Sequence, residues 1–131
     1  MKFNKIHHVA IICSNYEISK EFYVKKLGFK VIREVYREER NSYKLDLEIG
    51  DSQIELFSSP SAPKRPSYPE AQGLRHLAFE VDDIEKIVEE LNQKGIEAEP
   101  IRIDEYTGRK FTFFEDPDKL PLELYSRFKD K

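Results

Sequence analysis

The stretch Leu-Pro-Leu-Glu-Leu-Tyr-Ser at residues 120–126 decides the fold, because its pattern occurs twice in the chain. It matches Ser-Gln-Ile-Glu-Leu-Phe-Ser at residues 52–58, which lie 68 residues earlier. The same offset carries His-Val-Ala-Ile at residues 8–11 onto His-Leu-Ala-Phe at residues 76–79. Several matches at one common offset indicate an internal duplication. Each half of the chain therefore opens with a strand that carries a His and closes with a strand that carries a Glu.

Length and composition restrict the class of protein. A chain of 131 residues with nine Phe and seven Tyr can bury the core of one domain. The net charge of −3 gives no reason to expect nucleic acid or an anionic membrane as a partner. The single cysteine, Cys13, excludes an internal disulfide, and neither a signal peptide nor a membrane-spanning run is apparent. We expect a cytoplasmic protein.

Both halves are predicted to contain a strand, a helix and three further strands, which places the chain in the α+β class. In the first half the strands are expected at residues 6–12, 29–36 and 43–49 and around Glu55, with a helix that Ser14 or Asn15 caps and Gly28 ends. That helix is expected to turn Ile18, Phe22, Tyr23 and Leu27 inward. In the second half the strands are expected at residues 74–81, 96–103 and 109–114 and around Glu123, with a helix from Asp82-Asp83 to Gly95.

Residues 58–73 separate the two halves and hold four of the seven prolines. This composition predicts a loop, which is either a semi-rigid linker or a flap over a pocket. We therefore expect one domain over residues 1–131, with a first module at about 5–58, a Pro-rich linker at about 59–73 and a second module at about 74–127.

The repeat-matched residues form a candidate metal site. Strand alternation places His8, Glu55, His76 and Glu123 on sheet faces opposite the predicted helices. If a pseudo-twofold axis relates the halves, the four side chains meet at one point. Two carboxylates held together in a cleft repel each other, and a divalent cation removes that conflict. Such a ligand set suits Ni, Co, Zn, Mn or Fe and leaves positions open for substrate. Taken singly, each of these residues is better explained as structural or exposed to solvent. His7 lies outside the repeat match, and we interpret it as structural.

Four longer motifs carry a resemblance to a known family. They are Ile-His-His-Val-Ala-Ile at residues 6–11, Phe-Tyr-x-x-x-Leu-Gly-Phe at 22–29, His-Leu-Ala-Phe-Glu-Val-Asp-Asp at 76–83, and Phe-Glu-Asp-Pro-Asp at 114–118 leading to Leu-Glu-Leu at 122–124. With these motifs the chain resembles the vicinal-oxygen-chelate superfamily, and glyoxalase I-like members above all. The resemblance implies two tandem βαβββ modules that form a curved, cleft-lining sheet with the helices outside. It also implies a homodimer.

Within that superfamily, Glu55 favours glyoxalase I. Dioxygenases and fosfomycin-type thiol transferases generally lack a ligand there, and methylmalonyl-CoA epimerases typically have Gln. The resemblance implies a metal-dependent lyase or isomerase with one divalent metal per site, Ni or Zn first and Co, Mn or Fe next. It favours Glu123 as the base, with Glu55 the second candidate. Glyoxalase I enzymes of the bacterial type carry an Arg and an Asn where this chain has Ile12 and Ser59, so we expect a thiol other than glutathione. The alternatives are an acyl-thioester epimerase, another metalloenzyme of the superfamily (a dioxygenase or thiol transferase), or a metal-containing binding protein.

Overall fold

The computed structural model describes residues 1–130, and the chain divides into two compact units, Met1–Pro63 and Lys64–Lys131. The first unit contains β1 (His8–Cys13), α1 (Tyr16–Lys20) continued by a π-helix (Glu21–Lys26), β2 (Lys30–Arg37), a 3₁₀ turn (Glu38–Arg40), β3 (Ser42–Ile49) and β4 (Ser52–Ser58). The second contains β5 (Leu77–Val81), α2 (Ile84–Gln93), β6 (Arg102–Ile103), β7 (Arg109–Glu115) and β8 (Pro121–Lys129). The predicted α+β class with two βαβββ modules is confirmed.

Each unit has a four-stranded mixed sheet with the same topology. The strand orders are β1-β4-β3-β2 and β5-β8-β7-β6, with the first and last strand of each module parallel to one another. The repeat extends to the pairing register, because Ala10 lies opposite Glu55 and Ala78 lies opposite Glu123. One residue of slippage would move every side chain to the other face of the sheet. The identical register therefore gives the two modules equivalent open faces.

The first helix follows its predicted limits and buries Phe22 and Tyr23 as predicted, but Ile18 departs from the prediction. Asn15 caps it by accepting a hydrogen bond from the Ile18 N–H at 3.2 Å, and the chain leaves it at Gly28 with φ of 80°. The prediction that Ile18 turns inward was wrong, because this side chain is 54% exposed. Tyr16 is buried instead, and its ring stacks on that of Tyr43 at 4.3 Å. The buried side chains of this segment are Tyr16, Ser19, Phe22 and Tyr23, and Ile18 lies outside the face that they form.

The second module departs from prediction at two strands. The strand expected at residues 96–103 is confined to Arg102–Ile103. Pro100 lies within the expected strand and has no N–H to donate to a ladder. The strand expected from residue 74 begins at Leu77, so His76 stands immediately before β5. The second helix matches its prediction: Asp83 caps it through the Lys86 N–H, and Ile84 and Leu91 are buried.

A small apolar core lies in each unit. Leu45, Leu47 and Leu56 are fully buried in the first, and Leu122 is fully buried in the second. In both units these residues alternate along their strands with polar side chains on the open face. Within residues 1–130, no helix is long and apolar enough to span a membrane.

Candidate metal centre

The first His–Glu pair lies on the open face of the first sheet. Along β1 the side chains of Val9, Ile11 and Cys13 turn toward the core, whereas His8, Ala10 and Ile12 are exposed. Glu55 stands on β4 opposite Ala10, whose methyl group leaves the space above the strand free. His8 Nε2 consequently lies 3.6 Å from Glu55 Oε1. The alternation predicted for these two strands is confirmed.

The second pair repeats this arrangement. Glu123 stands on β8 opposite Ala78, between the buried Leu122 and Leu124. His76 Nε2 lies 3.4 Å from Glu123 Oε1, and the His76 ring packs edge-on against Phe113 at 5.0 Å. His76 reaches the Glu although it precedes the strand.

The geometry of both pairs fits a metal ion. An imidazole nitrogen and a carboxylate oxygen each bind a divalent metal at about 2.0–2.2 Å. Two such ligands on one ion lie about 3–4 Å apart, and the observed N···O distances of 3.6 and 3.4 Å fall within that interval. Each pair can therefore supply one nitrogen and one oxygen to the same ion without rearrangement of its strands.

The four predicted ligands appear as two pairs. His8 lies with Glu55 and His76 lies with Glu123, each within its own unit. Among residues 1–130, no group of three or more His, Cys, Asp or Glu side chains is arranged to hold a metal. The assembly of all four residues around one ion stays a prediction.

Cations and a buried carboxylate surround the first pair. Lys44 Nζ lies 2.7 Å from Asp46 Oδ1 and 3.8 Å from Glu55 Oε2. Arg33 binds the other oxygen of Asp46, with Nη2 at 3.1 Å from Oδ2. Burial by itself would raise the pKa of the Asp46 carboxyl, but the hydrogen bonds from Lys44 and Arg33 outweigh it and hold the pKa below its usual value. Asp46 lies opposite Glu55 in the sheet, so this network holds an ammonium group beside the candidate ligand.

Aromatic rings surround the second pair. Phe113 lies opposite Glu123 on β7, and the guanidinium of Arg102 lies 4.9 Å from the centroid of Phe111 on the same strand. Burial raises the pKa of the Glu123 carboxyl, the charge of His76 opposes this rise, and the charge of Asp104 adds to it. The two modules thus present the same pair of ligand types, with an ammonium group beside Glu55 in the first and a Phe ring beside His76 in the second.

Sequence reasoning missed the roles of three residues near the first pair. The position of Lys44 and Asp46 beside Glu55 depends on the register between β3 and β4. His7 was interpreted as structural, yet its Nδ1 lies 2.9 Å from Nδ1 of His8. The doublet of His residues was a signal that could have drawn attention to this contact.

Comparison with known proteins gives consistent matches along the chain. The family model for the Glyoxalase/Bleomycin resistance protein/Dioxygenase superfamily matches residues 5–124. The uncharacterized protein YwkD of Bacillus subtilis (strain 168) is 64% identical over 128 residues, which cover 97% of this chain and 100% of YwkD. The crystal structure of a glyoxalase family protein from Enterococcus faecalis superimposes with a TM-score of 0.89 at 59% identity, over 95% of this chain and 99% of that one.

A more distant structure shows how widely this fold is used. The fosfomycin resistance protein FosX from Listeria monocytogenes superimposes with a TM-score of 0.74 over 97% of this chain and 96% of that one. At 18% identity the likeness concerns the fold alone.

Proposed function

The chain belongs to the Glyoxalase/Bleomycin resistance protein/Dioxygenase superfamily, and from this premise we propose that it is a metal-dependent lyase or isomerase of the glyoxalase I type. Members of this superfamily typically bind a divalent metal and a small-molecule substrate. The observation that carries the proposal is the repeated His–Glu pair, with N···O distances of 3.6 and 3.4 Å on equivalent open faces. One His–Glu pair offers a metal only two ligands and would bind it weakly, whereas two equivalent pairs supply two nitrogens and two oxygens.

In this proposal His8, Glu55, His76 and Glu123 hold one divalent ion, with Ni or Zn favoured over Co, Mn or Fe. The two pairs meet either within one chain or between the chains of a homodimer. When bound, the ion supplies Lewis acidity for negative charge that develops on a carbonyl oxygen of the substrate.

The two glutamates have different roles in this proposal. Glu123 takes the proton from the carbon that bears the hydroxyl group and the sulfur and returns it to the adjacent carbonyl carbon. The hydroxyl hydrogen passes to the former carbonyl oxygen, so the overall reaction is an isomerisation. Burial raises the pKa of Glu123, which brings this carboxylate closer to the basicity that proton abstraction requires. Glu55 is the second candidate for the base. Because Lys44 Nζ lies 3.8 Å from its Oε2, we assign Glu55 the role of a restrained ligand.

The thiol part of the substrate is proposed to differ from glutathione. Ile12 lies on the open face of β1, two residues beyond Ala10, and is 53% exposed. An apolar side chain at this place cannot replace the guanidinium fork that binds a carboxylate. A hemithioacetal of a smaller or less acidic thiol fits this face better than that of glutathione.

Metal content and activity together test the proposal. Each of the four ligands is changed to Ala, the proteins are purified without chelator, and bound metal is measured by elemental analysis. Gln53→Ala is the matched control, because Gln53 lies on β4 two residues from Glu55 and on the same face. We expect the ligand variants to lose metal and the control to retain it. Unchanged metal content in all four ligand variants would overturn the assignment.

Turnover is measured with methylglyoxal and a panel of thiols, followed by ultraviolet absorbance. We expect the protein to form product with at least one thiol. Removal of the metal should abolish this turnover, and addition of Ni or Zn should restore it. A protein that holds metal but isomerises no hemithioacetal is not a glyoxalase. Acyl thioesters are included in the panel, because an epimerase uses the same proton transfer.

We also propose that the active form is a homodimer. Light scattering at micromolar concentration is expected to give twice the chain mass of 15.5 kDa. A mass of one chain over the whole concentration range would contradict this part of the proposal.

A further inference from the structure

His7 and His8 form a hydrogen-bonded pair of imidazoles. Their Nδ1 atoms are 2.9 Å apart, and the two rings stand at 90° with their centroids 5.2 Å apart. A contact this short between ring nitrogens requires one hydrogen between them, so one Nδ1 donates and the other accepts. The other nitrogen of His8, Nε2, faces Glu55 Oε1 at 3.6 Å. Both nitrogens of the candidate ligand therefore have a defined neighbour.

The backbone explains how adjacent residues come to face each other. Neighbouring side chains in a strand point to opposite faces of the sheet, but β1 begins at His8 and His7 precedes it. The carbonyl of His7 still accepts a hydrogen bond from the Gln53 N–H at 3.0 Å, which ties this residue to β4. The main chain of His7 is thus anchored to β4, but its ring does not have to point to the face opposite His8. This combination brings it against the edge of His8.

The location of the hydrogen decides whether His8 can bind a metal. If His8 Nδ1 donates to His7 Nδ1, Nε2 of His8 carries a lone pair directed toward Glu55. If His7 donates instead, Nε2 of His8 carries the hydrogen and cannot act as a ligand. A neutral imidazole can serve as donor or acceptor at Nδ1, so His7 accommodates both tautomers of His8 without a movement of the chain.

We propose that His7 is a positioning residue for the metal: it accepts the Nδ1 hydrogen of His8 and so fixes the ring with Nε2 directed at the metal site. This inference rests on the proposed metal-dependent function. In other proteins a carboxylate or carbonyl oxygen accepts a hydrogen bond from the second ring nitrogen of a metal-binding His, and the proposal gives this role to His7.

The second module lacks this arrangement, which provides a control. Arg75 stands 68 residues after His7 and directly before His76. Its Nε donates to Glu70 Oε1 at 2.8 Å, and a guanidinium has no lone pair with which to accept a hydrogen bond. The two modules are therefore alike in their ligands but unlike in the residue that precedes the His. A substitution at residue 75 should leave metal affinity unchanged, although it is the counterpart of one at residue 7.

Metal affinity measured against a competing chelator tests the proposal. Zn²⁺ is titrated into the metal-free protein and into His7→Leu, His7→Asn, Arg75→Leu and His8→Ala, and thermal unfolding confirms that each variant is folded. We expect His7→Leu to weaken Zn²⁺ binding about 10–100-fold, the usual cost of removing such a partner. His7→Asn should restore most of the affinity, because its Oδ1 is bonded to Cγ as Nδ1 of His is and can accept the same hydrogen bond. Arg75→Leu should bind as the wild type does.

The outcomes separate this inference from the proposed function. If the wild type binds Zn²⁺ and His8→Ala does not, while His7→Leu binds as tightly as the wild type, the role of His7 is overturned and the metal site stands. If the Zn²⁺ affinity of His7→Asn falls as far as that of His7→Leu, the hydrogen bond is not the cause and the proposal is likewise overturned. If His8→Ala retains full affinity, or the wild type binds no metal, both the metal site and the role of His7 are wrong.

Discussion

Replacing Asp46 with Asn should destabilise the first unit and should also disturb the candidate metal centre. The Asp46 side chain is only 3% exposed and accepts from Lys44 at 2.7 Å and from Arg33 at 3.1 Å. Asn keeps the shape and one acceptor oxygen but removes the negative charge. The substitution therefore tests charge pairing with little change in packing.

The expected loss follows from the exposure of the two partners. A hydrogen bond to a charged group contributes about 1.5–3 kcal/mol when buried, and this figure suits Lys44, which is 24% exposed. Arg33 is 66% exposed, so its contact resembles a surface ion pair worth about 0.2–1 kcal/mol. Because the Asn oxygen retains part of the Lys44 contact, we expect a net loss of about 1–3 kcal/mol in the free energy of unfolding.

The effect should depend on pH in a defined direction. The pKa of Asp46 is lowered in the folded protein, so its charged form stabilises the fold above the unfolded pKa of about 3.9. That contribution is lost as the pH falls through the lowered folded value. The difference between wild type and Asp46→Asn should therefore be largest near neutral pH and shrink below about pH 4.

Urea unfolding near neutral pH and in acid measures both effects. Glu48→Gln is the control, because Glu48 lies on the same strand and face as Asp46 but is exposed, and we expect it to cost less than about 0.5 kcal/mol. Zn²⁺ affinity gives a second readout: once Asp46 no longer holds it, Lys44 can close on Glu55 and compete with the metal, so affinity should fall. A loss no larger than that of the control, or one that persists unchanged in acid, would refute the reasoning.

Three further predictions concern the base, the thiol and the core. Glu123→Gln retains an oxygen ligand, so it should lower the amount of bound metal only slightly while it lowers kcat about 10²–10⁴-fold. Equal losses of kcat and of bound metal would contradict the role of Glu123 as the base. Ile12→Arg should lower KM for the glutathione hemithioacetal with little change in kcat, because it adds uniform binding. A wild type that already turns over this substrate at about 10⁴ M⁻¹s⁻¹ or better would show that the inference from Ile12 is wrong. Leu122→Ala should lower the free energy of unfolding in urea by about 2–5 kcal/mol, because the side chain is fully buried. Ile103→Ala, at an exposed position, should lower it little. Similar losses in the two variants would refute the placement of the core.

Features that depend on the local periodicity of side chains could be predicted from the sequence. The 68-residue repeat and the alternation around Glu55 and Glu123 were enough to predict two equivalent modules and the face on which each Glu lies. The helix limits at Gly28 and Gly95 were likewise readable, because a left-handed residue after a helix is a local requirement that glycine meets without strain.

Contacts that depend on pairing between distant segments could be identified only in the folded chain. Lys44 lies beside Glu55 because β3 and β4 pair in one register, and no local pattern specifies that register. The inward face of the first helix depends on a tertiary contact, because the Tyr16 ring stacks on Tyr43 of β3 while Ile18 stays exposed. The contact between His7 and His8 arises because β1 begins at His8, two residues later than the strand predicted at residues 6–12. Local periodicity assigns residues to faces, whereas only the packed chain determines which side chains on one face lie within reach of each other.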